Sequence, residues 1–311
     1  MKRLLLRLKS LNRKTKVIHL KRSHVLIVEA NLKAITCCVP EEFPRKFESG
    51  FLHIKLWKAT EFRLFLLYVG IAFFLDSSVF STAQFNNFKY LCCSMRLLVM
   101  KDSDVTVAAR IILKFLNSSI KLYGPGIMSY SYHNLIHLPD DYRLYGNLDE
   151  ISAFPFESFL GNHVKKAVRA PNKAPQQIAQ HLLALNKNMS EAKGPAELDL
   201  TLNKKLGKYK GLKASATISA NNCVLLKDGG IAYITEFQIQ EKEIYASCKK
   251  FKHLMSLFLK PIDSKSVLIF KIPDPDQYDE VTVHSKEIDR KMMLLPCRNF
   301  RIAVGLLHSL D

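Results

Sequence analysis

The sequence lacks any Cys-x-x-Cys pair, which excludes the usual zinc-finger framework. Its seven cysteines are an odd number, with Cys37 and Cys38 adjacent and Cys92 and Cys93 adjacent, and do not read as a secreted disulfide scaffold. This usage points to a reduced compartment, nucleus or cytoplasm. There is no glycine-rich phosphate loop, no Gly-x-Ser-x-Gly elbow and no locally supported Cys-His arrangement, so no nucleophile is assigned. Long apolar runs are also missing. The longest, Leu64 to Leu75, spans roughly 18 Å as a helix against roughly 30 Å of bilayer core, so it reads as a buried helix. No internal repeat is found.

Acid is scarce in two places. Residues 1–33 hold ten basic side chains and one acidic, and residues 158–213 hold eleven and three. Elsewhere the balance is close, twelve against twelve over 34–157 and thirteen against twelve over 214–311. Nearly all of the formal net charge of +18 therefore sits in two short segments. Such local cationic density attracts polyanions by releasing the counterions condensed on a phosphate backbone. An anionic membrane surface and a merely solvated helix face are the competing readings. The leucine-rich, basic start, free of acid until Glu29, also fits a mitochondrial presequence.

With 48% apolar residues the chain is able to bury a core, and its periodicity divides it into four segments. Residues 1–44 read as a basic N-terminal extension and 45–187 as a helical body. Trp57, Thr60, Leu64 and Leu67 share a face, as do Leu91, Met95 and Leu98. A helix capped at Ser103 or Asp104 carries Ala108, Ile111, Ile112, Phe115 and Ile120 and stops at Gly124-Pro125-Gly126. A short helix is expected over Tyr132 to Leu138, ending before Pro139. Another follows Pro155, with Phe156, Phe159, Leu160, Val164, Ala167 and Val168 inward and Lys165, Lys166 and Arg169 outward; Gly161 within it implies close packing. Gln176 to Leu185 resumes the helical period. Residues 188–213 read as a Lys-rich linker.

From 214 to 311 the period changes to two. Cys223 to Leu226 and Ile231 to Phe237 flank Lys-Asp-Gly-Gly, a hairpin signal, and further strands are expected at Glu243 to Ser247, Val267 to Lys271, Val281 to Val283 and Arg301 to Leu307. The expected fold class is α+β, a helical body followed by a small C-terminal β-barrel.

Two side-chain settings carry possible chemistry. His133 and His137 lie at i and i+4, but Asn134 stands where a metalloprotease needs Glu, so packed or hydrogen-bonded histidines are the default. Glu157 opens a helix after Phe154-Pro155-Phe156, where the helix N-terminus favours its ionised form, able to ligate Mg²⁺; from spacing alone, plain N-terminal capping chemistry is the default account.

The stretches LWKATEFRLFLLYVG (56–70), KLYGPGIMSYSYHNLIHLPDDYRLYGNLDEISAFPFESFL (121–160) and KKAVRAPNKAPQQIAQHLLAL (165–185) resemble the C-terminal part of CACTA (En/Spm)-type DNA transposases of animal genomes. VLLKDGGIAYI (224–234) and LLPC (294–297) are more loosely similar to their tail region. The resemblance implies an RNase H-like core in which two aspartates and a glutamate hold two Mg²⁺ ions. The helical body would then correspond to the insertion and last helices of that core, and Glu157 to the third acid. The two aspartates belong upstream, and the acids there (Glu29, Glu41, Glu42, Glu48, Glu61, Asp76) sit in segments that do not read as that sheet. The expectation is thus a truncated, transposon-derived protein without strand cleavage. It needs no cofactor, Mg²⁺ entering only if another chain completes the site. Its partner is DNA, or RNA, held through Lys165, Lys166, Arg169, Lys173, Lys204, Lys205, Lys208, Lys210 and Lys213.

Overall fold

A computed structural model of the chain describes residues 1–9, 20–165, 167–169, 171–191, 206–209, 212–215, 219–240, 243–273 and 277–307. The helices come first: α1 (Lys2–Lys9), α2 (Arg22–Thr36), α3 (Ala59–Leu64), α4 (Gly70–Phe74), α5 (Thr82–Val99), α6 (Val105–Tyr123), α7 (Tyr130–His133), α8 (Leu138–Tyr145), α9 (Phe154–Phe159) and α10 (Ala174–Glu191). The strands follow: β1 (Leu206–Tyr209), β2 (Leu212–Ser215), β3 (Cys223–Leu226), β4 (Ile231–Gln240), β5 (Glu243–Phe251), β6 (Met255–Ser256), β7 (Ile269–Pro273), β8 (Tyr278–His284), β9 (Ile288–Pro296) and β10 (Phe300–Gly305). The protein is α+β, its helical and strand-forming parts following one another along the chain.

Local chemistry fixes the long helices. Ser81 Oγ accepts from the Gln84 amide at 3.3 Å while Gln84 Oε1 accepts from the Ser81 amide at 2.8 Å, a reciprocal cap that starts α5. Asp104, rather than Ser103, caps α6, its carboxylate accepting from the Thr106 and Val107 amides at 2.9 and 3.1 Å. Asn87 is buried between the two helices and donates to Phe115 O at 3.1 Å and Ser119 Oγ at 2.9 Å. The Leu64–Leu75 run forms α4, the end of α3 and a π-helical turn, Phe65–Val69, between them. It is interior: a Cβ at Gly70 would lie 2.3 Å from Phe88 Cζ, and the Phe74 and Phe88 rings stack at 4.5 Å. Among the described residues no helix is long and apolar enough to cross a membrane.

Two expectations change in this body. The described residues of 1–44, a span read as an extension, reach the main core through Leu4, Leu5, Leu20, Val28, Leu32, Ile35 and Val39. Arg3 donates to Gly126 O at 3.0 Å, and Glu29 accepts from the Phe51 and Leu52 amides at 2.8 and 3.0 Å. The helix expected over Tyr132 to Leu138 is instead α7, then a tight turn at Asn134–Ile136, then α8, which begins at Leu138. Pro139 lies in its first turn, where a missing amide proton removes no helical bond.

The strands from β3 onward form one antiparallel sheet in the order β6-β7-β10-β9-β3-β4-β5-β8, while β1 and β2 pair separately. The sheet curls into a half-barrel, and its end strands β6 and β8 do not pair, so the expected small barrel is open. The Lys227-Asp228-Gly229-Gly230 turn joins β3 to β4 as its sequence requires: Gly229 has φ +82°, and the Asp228 carboxylate accepts from the Gly230 amide at 2.8 Å.

Both faces of the sheet carry apolar side chains. Met293, Leu295, Ile302, Val304 and Leu306 join the helical core, so one hydrophobic interior runs through both parts of the chain. On a separate cluster Cys223, Leu225, Ile231, Phe251, Phe270, Ile272, Met292 and Ala303 pack together. Four strands were missed from sequence: β1 and β2, a hairpin that begins inside the expected 188–213 linker, the short β6, and β9, which lies between β10 and β3. The alternation of β9 is masked by Lys291, which is fully buried and pairs with Glu42 while also donating to Asn221 Oδ1 at 3.2 Å. Glu42→Ala removes the carboxylate that neutralises this ammonium. We expect a loss of about 2–3 kcal/mol in urea unfolding, short of the ~3–5 kcal/mol of a wholly buried pair because Glu42 keeps an edge in water. A combined Glu42→Leu and Lys291→Met variant is expected to regain most of it; an unchanged urea midpoint for Glu42→Ala alone would show that the pair contributes nothing.

Candidate nucleic-acid interface

After Leu148, which still packs on the main core, no described residue up to Glu191 belongs to a hydrophobic cluster. Pro155 falls in the first turn of α9, where the Glu157 amide donates to Ala153 O at 2.9 Å and the Glu157 carboxylate points from an exposed residue. A π-helical turn follows at Leu160–Lys165, then a short turn at Pro171–Lys173, then α10. The Arg169 amide donates to Gln177 Oε1 at 2.8 Å, which ties the crossing segment to α10.

Lys165, Arg169 and Lys173 are all exposed, and among the described residues none of them makes an ion pair. The sequence holds no acidic residue from Ser158 to Ser190. Their field therefore goes unneutralised over several turns of chain, a setting that draws in polyanions. Further along, Lys208 in β1 and Lys213 in β2 are direct cross-strand partners. Lys166, Lys204, Lys205 and Lys210 lie outside the described residues.

The apolar face predicted for this region is largely exposed among the described residues. Phe156 is 74% exposed, Phe159 44% and Leu160 44%, while Val164, Ala167 and Val168 are only half-buried. An added Cβ at Gly161 would meet nothing within 4 Å, so the close packing expected there is absent. The period placed Phe156, Phe159 and Leu160 inward, and the structure has all three exposed.

The other candidate chemistry is thin. His133 and His137 are both exposed, with ring centroids 5.6 Å apart, and they sit on α7 and on the turn after it rather than on one helix. Among the described residues no group of three or more His, Cys, Asp or Glu side chains is placed to hold a metal ion. All seven cysteines are free. Burial pushes the Cys92 thiol up to about 11 and those of Cys223, Cys248 and Cys297 up to about 12, so these thiols stay protonated near neutral pH.

Residues 191–306 match the family model described as a domain of unknown function (DUF8592). The matched segment begins where α10 ends and takes in the β1–β2 hairpin and the curled sheet. No curated protein and no solved structure matches the chain. Glu157, Lys165, Arg169 and Lys173 thus precede the matched segment, whereas Lys208 and Lys213 fall within it.

Sequence reasoning overlooked cations that the fold consumes internally. Arg301 lies over the Tyr233 and Phe251 rings at 5.5 and 5.6 Å from their centroids and donates to the Tyr233 and Tyr278 hydroxyls. Arg96 and Lys291 are buried outright. The described cations of the α9–α10 tract, like Arg110, Lys114 and Lys121 on α6, are exposed instead.

Proposed function

We propose that the chain is a transposon-derived nucleic-acid-associated protein that binds DNA, and RNA by the same phosphate chemistry, through the basic tract 158–213 without cutting strands by itself. In this reading the helical body descends from the insertion and last helices of an RNase H-like transposase core. The observation that carries the binding half is the exposure of Lys165, Arg169 and Lys173 in a stretch with no acid from Ser158 to Ser190. Arginine and lysine so presented gain by displacing counterions from a phosphate backbone. The free cysteines support a reduced setting, nucleus or cytoplasm, for this activity.

The residues around Glu157 do not fit a two-metal centre. Such a centre needs several carboxylates converging on the ions, and the described residues offer no group of three ligands. A second reading has another polypeptide supply the remaining acids, and the open position of Glu157 on the first turn of α9 favours it.

Fluorescence anisotropy of a labelled duplex, followed from about 50 to about 200 mM salt, tests the main reading. If about six phosphates are contacted, log affinity falls against log salt with a slope of about −5. A flat salt profile, or no binding at the lowest salt, overturns the proposal. Mg²⁺-dependent nicking that disappears in Glu157→Gln replaces it with the second reading.

A further inference from the structure

The strand β8 ends the curled sheet, and β5 is its one strand neighbour among the described residues. Its seven residues pair with β5 without a register shift, whereas the β3–β9 and β4–β5 pairings each contain one. No proline or glycine interrupts it, and Val281, Thr282 and Val283 at its centre are all β-branched. Edge strands are ordinarily blunted by shortness, a bulge, a proline or charge. Here charge alone is present, at Asp279 and Glu280.

The ladder settles which backbone groups face outward. The Lys252 amide donates to Gln277 O at 3.0 Å, one step beyond the last β5–β8 pair, Phe251 with Tyr278. In an antiparallel ladder, pairs that exchange backbone bonds alternate with pairs that do not. Counting in twos from that bond, Asp279, Val281 and Val283 turn their N–H and C=O groups toward β5, and Glu280, Thr282 and His284 turn theirs away from the sheet. Val281 and Val283 pack on the cluster that holds Val224, Ile234, Ala246 and Cys248, while Glu280 and Thr282 are exposed.

Charge along the strand selects what fits this edge. Asp279 pairs with Lys252 at 3.0 Å, whereas Glu280 makes no ion pair among the described residues. The far end is basic, His284 and Lys286 sharing the Glu243 carboxylate at 2.8 and 2.9 Å. A strand that is acidic at one end and basic at the other is complementary to its own antiparallel copy, as a two-fold contact requires. With Thr282 opposite itself, Glu280 faces His284 of the second copy, and every outward-facing residue meets another that also has its backbone groups to exchange. Opposed residues share a sheet face, so Val281 meets Val283 of the second copy and the apolar face continues across the junction. Moving the axis to Glu280 sets carboxylate against carboxylate, and moving it to Val281 opposes Glu280 to Thr282, with no charge match. The sheet region also permits the approach, since 214–311 holds thirteen basic residues against twelve acidic.

We infer that β8 is a self-association edge, through which two copies of the chain join β8 to β8 about a two-fold axis at Thr282 and make one continuous sheet. The contact uses none of the basic tract and stands independently of nucleic-acid binding.

Sedimentation equilibrium of the full chain, cleared of nucleic acid, tests this from about 1 to about 100 μM at about 0.15 M salt. The pairing is shorter than a standard interface, so a monomer–dimer equilibrium with micromolar dissociation is expected. Thr282→Pro removes an N–H that β5 does not use, and it is expected to weaken the dimer about tenfold or more. Glu280→Lys, at an exposed side chain, sets lysine against His284 and is expected to weaken it about fivefold. Amide exchange at Glu280, Thr282 and His284 is expected to slow as protein concentration rises. Should Thr282→Pro lose its folded Trp57 emission, Glu280→Lys and the exchange rates decide. A chain that stays monomeric to about 100 μM overturns the inference. So does a dimer that Glu280→Lys leaves unchanged, or one in which exchange at Thr282 does not depend on concentration.

Discussion

Arg96→Ala is expected to cost about 4–5 kcal/mol of folding stability, most of what an ordinary domain possesses. The side chain is wholly buried in α5, and its guanidinium donates to Leu67 O at 2.7 Å, Val267 O at 2.7 Å and Gly305 O at 2.9 Å. Those carbonyls belong to the π-helical turn, to the turn before β7 and to the end of β10, so one side chain ties helices to sheet. The Tyr68 ring lies beneath it, 5.6 Å from centroid to guanidinium carbon. Burial pulls the Arg96 pKa below its ordinary value, yet a guanidinium in a site of oxygen acceptors remains charged. Truncation leaves three buried carbonyls without their donor, at about 1–3 kcal/mol each before relaxation, and opens a cavity as well. Arg96→Lys is expected to recover less than half, because one ammonium does not reproduce the planar fork that reaches three separate elements.

Urea unfolding read at two wavelengths checks this. Trp57, the only tryptophan, reports on the helical body, where it is buried and its indole donates to Gly50 O at 2.9 Å. Far-ultraviolet circular dichroism reports on the whole chain. Because the hydrophobic interior is continuous, the two transitions coincide in the parent protein, and in Arg96→Ala both shift to lower urea. A loss below about 1 kcal/mol would show that the carbonyls find other donors and that Arg96 is not the tie.

What could be read ahead in the sequence was local. The cap at Asp104, the stop at Gly124 and the Asp228-Gly229 turn each depend on residues within four positions of one another, and each stands where the pattern put it. Long-range pairing was not legible. The partners of Arg96 lie 29, 171 and 209 residues away, and an arginine inside a helical period reads as surface. Lys291 hid β9 for the same reason, since a cation at an inward position breaks the alternation that announces a strand. At α9 the failure has another cause. Periodicity identified the face holding Phe156 and Phe159, but it carries no information on whether a partner covers that face. The basic residues Lys165, Arg169 and Lys173 were placed outward from sequence or grouped with the tract, and all three are exposed.

Reversing those three charges together, Lys165→Glu, Arg169→Glu and Lys173→Glu, is expected to weaken duplex binding about 10³-fold near 50 mM salt and to shallow the salt dependence by about three. Each replacement removes one counterion-releasing contact and places a carboxylate against the phosphates, so the loss exceeds that of three alanines. The fold is expected to hold, because all three side chains are exposed and none is part of the described hydrophobic clusters. Net charge alone also affects association, and a matched control separates the two effects. Arg110, Lys114 and Lys121 are exposed on α6, and converting them to glutamate changes the net charge by the same amount. That variant is expected to lose only a few-fold, since charges that do not touch the ligand act through salt with a screening length of roughly 10 Å. Equal weakening by the two triples would mean that general basicity governs binding, and it would remove the α9–α10 tract from its assigned role.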